Sequence, residues 1–205
     1  MPSNYTLHVL SLTLGVLTLA MTALGLYGLT RRRPFVIDAR WMLAVALVAI
    51  LPQVVLQLSL FFGAGQHSSE RPMLLIVALI SIVLIPYLAL MTRGYMVYGT
   101  TESSFRDALV SALSSLHLEF EETLSSVRLP SVPAELQVAV QGWIGIGELR
   151  LKQGGPPGLL ADVAGGMNAH FNAAKVKTNM ISEVAFVILG LLGSAMVVTL
   201  MLLGR

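Results

Sequence analysis

Residues 7–30 have the sequence LHVLSLTLGVLTLAMTALGLYGLT, and Arg31, Arg32 and Arg33 follow directly. A helix of about 20 apolar residues is long enough to cross the roughly 30 Å hydrocarbon core of a membrane. A secretory signal would instead carry its positive charges before a shorter apolar run. The segment therefore predicts a membrane helix that the protein retains.

Three further segments have the length and hydrophobicity of a membrane helix, namely residues 41–62, 73–91 and 181–203. The composition of the 205-residue chain agrees, because 55% of its residues are hydrophobic and only 12% are charged. Average soluble domains have roughly 25% charged residues. We therefore expect a membrane α-helical protein with four transmembrane helices, and the composition excludes a soluble cytosolic enzyme.

A small soluble domain is predicted between the third and fourth helices, over residues 94–178. This segment has eight acidic and six basic side chains, a mixture typical of a surface in water. Thr101 offers an N-cap to a following helix, and residues 136–140 alternate as in a half-buried strand before a turn at Gln141-Gly142. The pattern predicts an α+β domain of order β-α-β-β-β-α, with residues 1–93 and 179–205 in the membrane part.

The periodicity of the apolar residues also predicts the core of this domain and one irregularity in it. A phase slip between Ile146 and Leu149 predicts a bulge near Gly147. The side chains expected in the core are Phe105, Leu109, Leu113, Val138, Val140, Trp143 and Met167.

The distribution of lysine and arginine predicts the orientation, since basic residues near helix ends are enriched on the cytoplasmic side. Two such residues, Arg71 and Arg205, fall on one side of the membrane and seven on the other. We therefore expect a protein of the bacterial inner membrane with residues 94–178 in the cytosol and both termini in the periplasm. The seven are Arg31, Arg32, Arg33, Arg40, Arg93, Lys175 and Lys177.

Polar residues in the membrane helices need partners, because unsatisfied polarity is costly in lipid. Gln53 and Gln57 are four residues apart and share one face of the second helix, where they either line a pore or join helices by hydrogen bonds. Glu183 is the only acidic residue in a membrane helix. It either reaches the membrane interface or pairs with Arg93 at the same depth, and we expect an ion pair that holds the third and fourth helices together.

Small residues in the first and fourth helices predict close helix packing. Gly25 and Gly28 lie in the first helix, and Gly190, Gly193 and Ser194 lie in the fourth. Small side chains let two helix backbones approach each other. Packing within one chain and packing between protomers both satisfy this pattern.

The sequence predicts no catalytic, cofactor or metal site. The chain has no cysteine, and its four histidines have no paired spacing on a common helix face. The glycine-rich stretch 142–147 lacks the Lys-Ser/Thr of a phosphate-binding loop. The net charge of +2 does not indicate nucleic acid as a partner.

These observations favour a non-catalytic membrane sensor, scaffold or effector subunit whose cytosolic domain binds a protein partner or ligand. The domain joins the third and fourth helices almost without a linker. A shift of the domain would therefore exert a force on both helices. Small membrane subunits of bacterial defence and stress systems share this layout. The alternatives are an oligomeric channel lined by Gln53 and Gln57, or an accessory subunit of a larger membrane enzyme. Membrane lipid and further copies of the chain are the other expected partners.

Overall fold

The computed structural model describes residues 4–63, 76, 79–80, 83–84, 87, 93–123 and 126–203. The chain divides into two compact units. The sheet unit consists of Leu24–Ala39 and Arg93–Val187. The helix unit consists of Met1–Ala23, Arg40–Thr92 and Ile188–Arg205.

The described residues form five named helices and six strands. Positions 76, 79–80, 83–84 and 87 are helical as well. The elements in chain order are α1 (Asn4–Arg31), β1 (Phe35–Asp38), α2 (Arg40–Gly63), β2 (Tyr95–Tyr98), α3 (Glu102–Ser115), β3 (Glu121–Glu122), β4 (Ser126–Leu129), β5 (Ala134–Gln141), β6 (Ile146–Gly154), α4 (Leu159–Ala173) and α5 (Ile181–Leu203).

The sheet unit is built on a six-stranded sheet of order β1-β2-β6-β5-β4-β3. Every neighbouring pair is antiparallel. Helices α3 and α4 pack against each other and cover one face, where their apolar side chains meet those of the strands. Successive residues of a strand point to opposite faces, so the core takes alternate residues such as Val97 of β2 and Leu136 of β5.

Helix α3 begins where the sequence predicts. The Thr101 hydroxyl accepts a hydrogen bond from the Ser104 backbone N–H, and the Ser104 side chain accepts one from the Thr101 backbone N–H. This capping box satisfies two donors that a helix start otherwise leaves unpaired. The helix then presents its apolar face, which includes Phe105, to the sheet.

The predicted core is confirmed in part. Four of its members are at most 3% exposed, namely Phe105, Leu109, Leu113 and Met167. Val138 and Val140 are half-buried, because they line a groove of about 550 Å³ that α3 leaves open towards β3 and β4. The prediction that Trp143 lies in the core is wrong, because Trp143 is 76% exposed in the turn between β5 and β6.

The predicted bulge near Gly147 is also wrong. Gly147 pairs regularly with Val140 and Val97, and a Cβ there would lie 2.5 Å from Cε2 of Phe105, so the position gives room to a core ring. The apparent phase slip arises because Ile146 points to the sheet face opposite the core, where it pairs with Tyr98, while Gly147 and Leu149 continue the core face. The register shift is at the other end of the hairpin, where Glu135 pairs with Gln153 and Leu136 with Leu151.

The prediction of four transmembrane helices is wrong. Among the described residues, only Ser11–Arg31 in α1 and Ile181–Leu202 in α5 are long and apolar enough to cross a membrane. Within α2 the stretch Arg40–Pro52 is a shorter apolar helix, which at about 1.5 Å per residue spans roughly 20 Å of the roughly 30 Å required. The predicted third helix, 73–91, lies mostly outside the described residues.

The predicted order β-α-β-β-β-α misses two strands of the sheet. Four strands rather than three lie between α3 and α4. Residues 35–38, expected as a loop between membrane helices, form β1 and pair with β2, with Phe35 opposite Tyr98. A four-residue strand has little local signature, and its partner follows only after the whole of α2, so this pairing is visible only in the tertiary structure.

The small residues of α5 pack within one chain in the helix unit. A Cβ at Gly190 would lie 2.9 Å from the backbone oxygen of Thr18 in α1 and would overlap the hydroxyl of Thr22. A Cβ at Gly193 would overlap the Thr18 methyl group. Small residues therefore bring α1 and α5 together here, and contact between protomers stays a prediction.

Candidate functional site

A row of aromatic rings lies on the sheet face opposite α3 and α4. Phe35 of β1 and Tyr98 of β2 are register partners, and their rings stack with centroids 5.5 Å apart. Tyr27 near the end of α1 meets Phe35 edge-on at 5.1 Å, and Phe186 of α5 meets Tyr98 at 5.8 Å. The last turns of α1 and the first turns of α5 are thereby packed onto the first two strands of the sheet.

The carboxyl group of Glu183 is buried beside these rings. The residue is 1% exposed, and Ser182 Oγ donates a hydrogen bond to its Oε2 over 2.9 Å. Its Oε1 is buried and has no hydrogen-bond partner among the described residues. An unpaired buried polar group typically lowers the stability of the fold by about 1–3 kcal/mol. A buried carboxyl group with only one of its two oxygens hydrogen-bonded is therefore not explained by its contribution to folding stability.

Three glycines make room for Glu183. A Cβ at Gly28 in α1 would lie under 3.0 Å from Glu183 Cγ, and one at Gly25 would lie 2.6 Å from the Glu183 backbone oxygen. Gly99 follows β2 with a φ of +72°, and a Cβ there would lie 3.0 Å from Oε1. Any larger residue at these positions would press on the side chain or backbone of Glu183, so α1 and the β2–α3 loop enclose it closely.

The first turn of α5 is also tied to the hairpin of β5 and β6. Asn179 Nδ2 donates to the backbone oxygen of Gly142 over 2.6 Å, and the Ser182 N–H donates to Ile144 O over 3.0 Å. Asn179 in addition donates its N–H to Gly99 O over 3.0 Å and accepts from Ile181 N. The start of α5 is therefore held from two sides, by the hairpin turn and by the loop after β2.

Arginines at the end of α1 and directly after it bind α4. Arg31 donates from Nη2 to Asn172 Oδ1 over 2.6 Å and from Nη1 to Tyr27 Oη over 2.7 Å. Arg33 donates to the backbone oxygen of Asn172. In the sequence these residues indicate only membrane orientation, whereas in the structure they also attach the end of α1 to a helix of the sheet unit.

The structure does not pair Glu183 with Arg93. Arg93 is exposed just before β2, whereas Glu183 is 1% exposed. Ion pairs among the described residues include Arg106 with Glu122, Glu148 with Arg150, and Lys152 with Glu135. Glu183 points instead towards glycines and aromatic rings, which no sequence spacing indicates. Gln53 and Gln57 lie in α2, and their side chains lie outside the described residues, so their pore or packing role stays a prediction.

The site has no arrangement suited to a metal ion. In the part of the chain that the structure describes, no three His, Cys, Asp or Glu side chains converge as ligands. Glu183 lies beside the ring cluster, and its surroundings include Ser182, glycines and aromatic side chains. The arrangement can couple the positions of several chain segments, because they all contact one buried side chain.

Burial raises the pKa of the Tyr98 hydroxyl to about 12, and the negative charge of Glu183 contributes a smaller rise. The unfolded chain loses this proton near its ordinary pKa of 10.0, whereas the folded protein keeps it up to about 12. The stabilisation that arises from this pKa difference at Tyr98 is fully present below pH 10, and it is lost as the pH rises through 12.

We expect this loss to amount to roughly 2–3 kcal/mol of unfolding free energy between pH 10 and 12. Denaturant unfolding in detergent, followed at several pH values by near-ultraviolet circular dichroism, measures it. The Tyr98→Phe variant should show a smaller loss over the same interval. Equal losses in the two proteins would show that Tyr98 titrates alike in the folded and unfolded states.

Comparison of the chain with protein families, with curated protein sequences and with solved structures finds no significant match.

Proposed function

We propose that this protein is a non-catalytic membrane-anchored coupling subunit. In this proposal α1 and α5 cross the membrane and the sheet unit binds a protein partner. A conformational change in the sheet unit on binding is transmitted to both helices through the contacts around Glu183. The observation that carries the proposal is that one buried carboxyl group is enclosed by the end of α1, the loop after β2 and the first turn of α5.

The coupling is supported by the number of independent attachments at the helix ends. Ring contacts join Tyr27 to Phe35 and Tyr98 to Phe186, while side-chain hydrogen bonds join Arg31 to α4 and Asn179 to the β5–β6 turn. A helix that merely tethered a domain would need none of them. Movement of the sheet unit relative to either helix would break several contacts at once.

Membrane insertion of α1 and α5 is supported by the exposure of their apolar side chains. In the most apolar stretch of each helix only 17% and 11% of the residues are buried inside the protein. The core helix of a soluble protein would be mostly buried. Lipid would cover the exposed leucines and valines of these two helices, as hydrocarbon covers a membrane span.

The orientation follows from the charges beside these two helices. Arg31, Arg32 and Arg33 end α1, and Lys175 and Lys177 precede α5, whereas residues 1–30 carry no charge. Basic residues concentrate on the cytoplasmic side of membrane helices. We therefore propose that the sheet unit faces the cytoplasm and that the opposite ends of α1 and α5 lie across the inner membrane.

Hydrogen exchange on the intact protein in lipid nanodiscs tests the coupling. Leu149→Ala removes a fully buried side chain from β6, on the sheet face that carries α3 and α4. We expect amide protection to fall in the sheet and, to a similar extent, in residues 24–31 and 181–187, because a coupled unit opens cooperatively.

Leu116→Ala is the matched control, since Leu116 belongs to the same unit but is exposed. It should leave protection at the helix ends unchanged. If Leu149→Ala lowered protection in the sheet while residues 24–31 and 181–187 kept theirs, the helices would be simple tethers and the proposed function would be wrong.

A further inference from the structure

The tip of the β5–β6 hairpin carries a tryptophan that nothing in the sheet unit covers. Trp143 is 76% exposed, more than any other large hydrophobic residue of the described chain. A single exposed apolar side chain needs no explanation. The position of Trp143 relative to the other exposed apolar side chains, however, needs an explanation.

Most exposed large hydrophobic residues of the sheet unit belong to a few segments. Five of the seven lie at the end of α1, at the start of α5 or in the β5–β6 turn, which is bonded to the chain entering α5. The remaining two, Leu116 and Leu151, are the least exposed, at 37% and 38%. The five are Leu26, Tyr27, Trp143, Ile181 and Val184.

The hairpin tip is fixed beside the first turn of α5. The hydrogen bonds from Asn179 to Gly142 and from Ser182 to Ile144 bracket Trp143 on both sides. Gly145 has a φ of +79°, and a Cβ there would overlap the backbone oxygen of Asn179, so the turn and the chain entering α5 touch. Trp143 therefore lies at the level where α5 begins.

Tryptophan at this level has a chemical preference for one environment. Its ring is apolar and its indole N–H is polar, which suits the boundary between lipid headgroups and acyl chains. The exposed basic residues Arg32, Arg33, Lys175 and Lys177 lie beside the same helix ends, where anionic headgroups attract them. An exposed tryptophan at the level of helix ends that also carry positive charge complements a membrane surface better than it complements water.

We infer that the β5–β6 turn, residues 142–145, inserts Trp143 into the headgroup region of the membrane beside α5. This inference rests on the proposed function, because it takes α5 as a membrane-spanning helix. The turn then gives the sheet unit a membrane contact of its own besides α1 and α5.

Tryptophan fluorescence in brominated vesicles tests the inference. The chain has two tryptophans, so Trp41→Phe leaves Trp143 as the only one. The full-length variant is reconstituted into phosphatidylcholine–phosphatidylglycerol vesicles with bromine either near the glycerol end or near the methyl end of the acyl chains. We expect stronger quenching of Trp143 by the shallow bromine than by the deep bromine, and weak quenching by iodide in the water.

Ser131→Trp in a Trp41→Phe, Trp143→Phe background is the control for the far end of the sheet. Ser131 is exposed before β5, whose eight residues span roughly 27 Å at about 3.4 Å per residue. The introduced indole should be quenched by iodide and not by lipid bromine. If Trp143 behaved in the same way, the inference would be overturned.

Leu191→Trp in the same background separates this failure from failure of the proposed function. Leu191 is 59% exposed within α5, so its replacement should be quenched most by the deep bromine. Deep quenching there together with iodide quenching of Trp143 would overturn the inference alone. Absence of lipid quenching at position 191 would overturn the membrane-spanning role of α5 and the inference with it.

Discussion

Phe105→Ala is expected to lower the unfolding free energy of the sheet unit by about 3–5 kcal/mol, which is the usual cost of removing a buried phenylalanine. Phe105 is 1% exposed, and its ring fills the space that Gly147 leaves above the sheet. Truncation would leave a cavity between α3 and β6 that the surrounding strands cannot close. Chemical unfolding of the purified protein in detergent, followed by near-ultraviolet circular dichroism, gives the value.

Trp143→Ala is the matched control, because it removes an aromatic side chain of similar size from the same unit. Its exposed position predicts a change within about 0.5 kcal/mol in detergent. A Phe105→Ala variant as stable as the Trp143→Ala variant would show that the α3 face is not packed on the sheet as described.

Gly28→Ala is expected to lower the unfolding free energy by about 1–3 kcal/mol, the typical cost of overpacking. The added methyl group would overlap Cγ of Glu183 and lie 3.1 Å from the Phe35 ring, so α1 and α5 would have to separate. Gly15→Ala, in the same helix with no atom within 4 Å, should instead be neutral or stabilising by up to about 1 kcal/mol.

A double-mutant cycle shows whether this effect arises at Glu183. Glu183→Ala removes the atom that the new methyl group meets, so Gly28→Ala should cost less in the Glu183→Ala background. Contacting residues typically show an interaction energy of about 0.5–3 kcal/mol. Additive effects would mean that the two residues do not touch, and the candidate site would lose its central contact.

Local properties of the sequence predict several elements correctly. The apolar lengths of residues 7–30 and 181–203 indicate the two helices that can cross a membrane, and Thr101 marks the start of α3. The helical spacing of Phe105, Leu109 and Leu113 identifies the buried face of that helix. Each of these depends on neighbours within a few turns, so the pattern and its physical cause lie in the same short segment.

Of the residues of the candidate site, the sequence singled out only the central one, Glu183, as a polar group that needs a partner. Glu183 is conspicuous because a carboxyl group is rare near an apolar helix, but the prediction gave it Arg93 as a partner on the basis of membrane depth. The residues that enclose it come from α1 and from the loop after β2, which are far apart in the chain. The glycine spacing in α1 was a usable signal for a close contact, although it did not identify the contacting residue.

By itself the sequence determined which segments are apolar enough for a membrane, where α3 begins and which of its faces is buried. The tertiary structure alone decided that residues 35–38 join the sheet, that Trp143 lies outside the core and that Glu183 is enclosed by Gly28 and Gly99. The reason is physical: helix formation and amphipathicity act between residues three or four positions apart. Strand pairing and the burial of a particular side chain instead depend on segments that only the folded chain brings together.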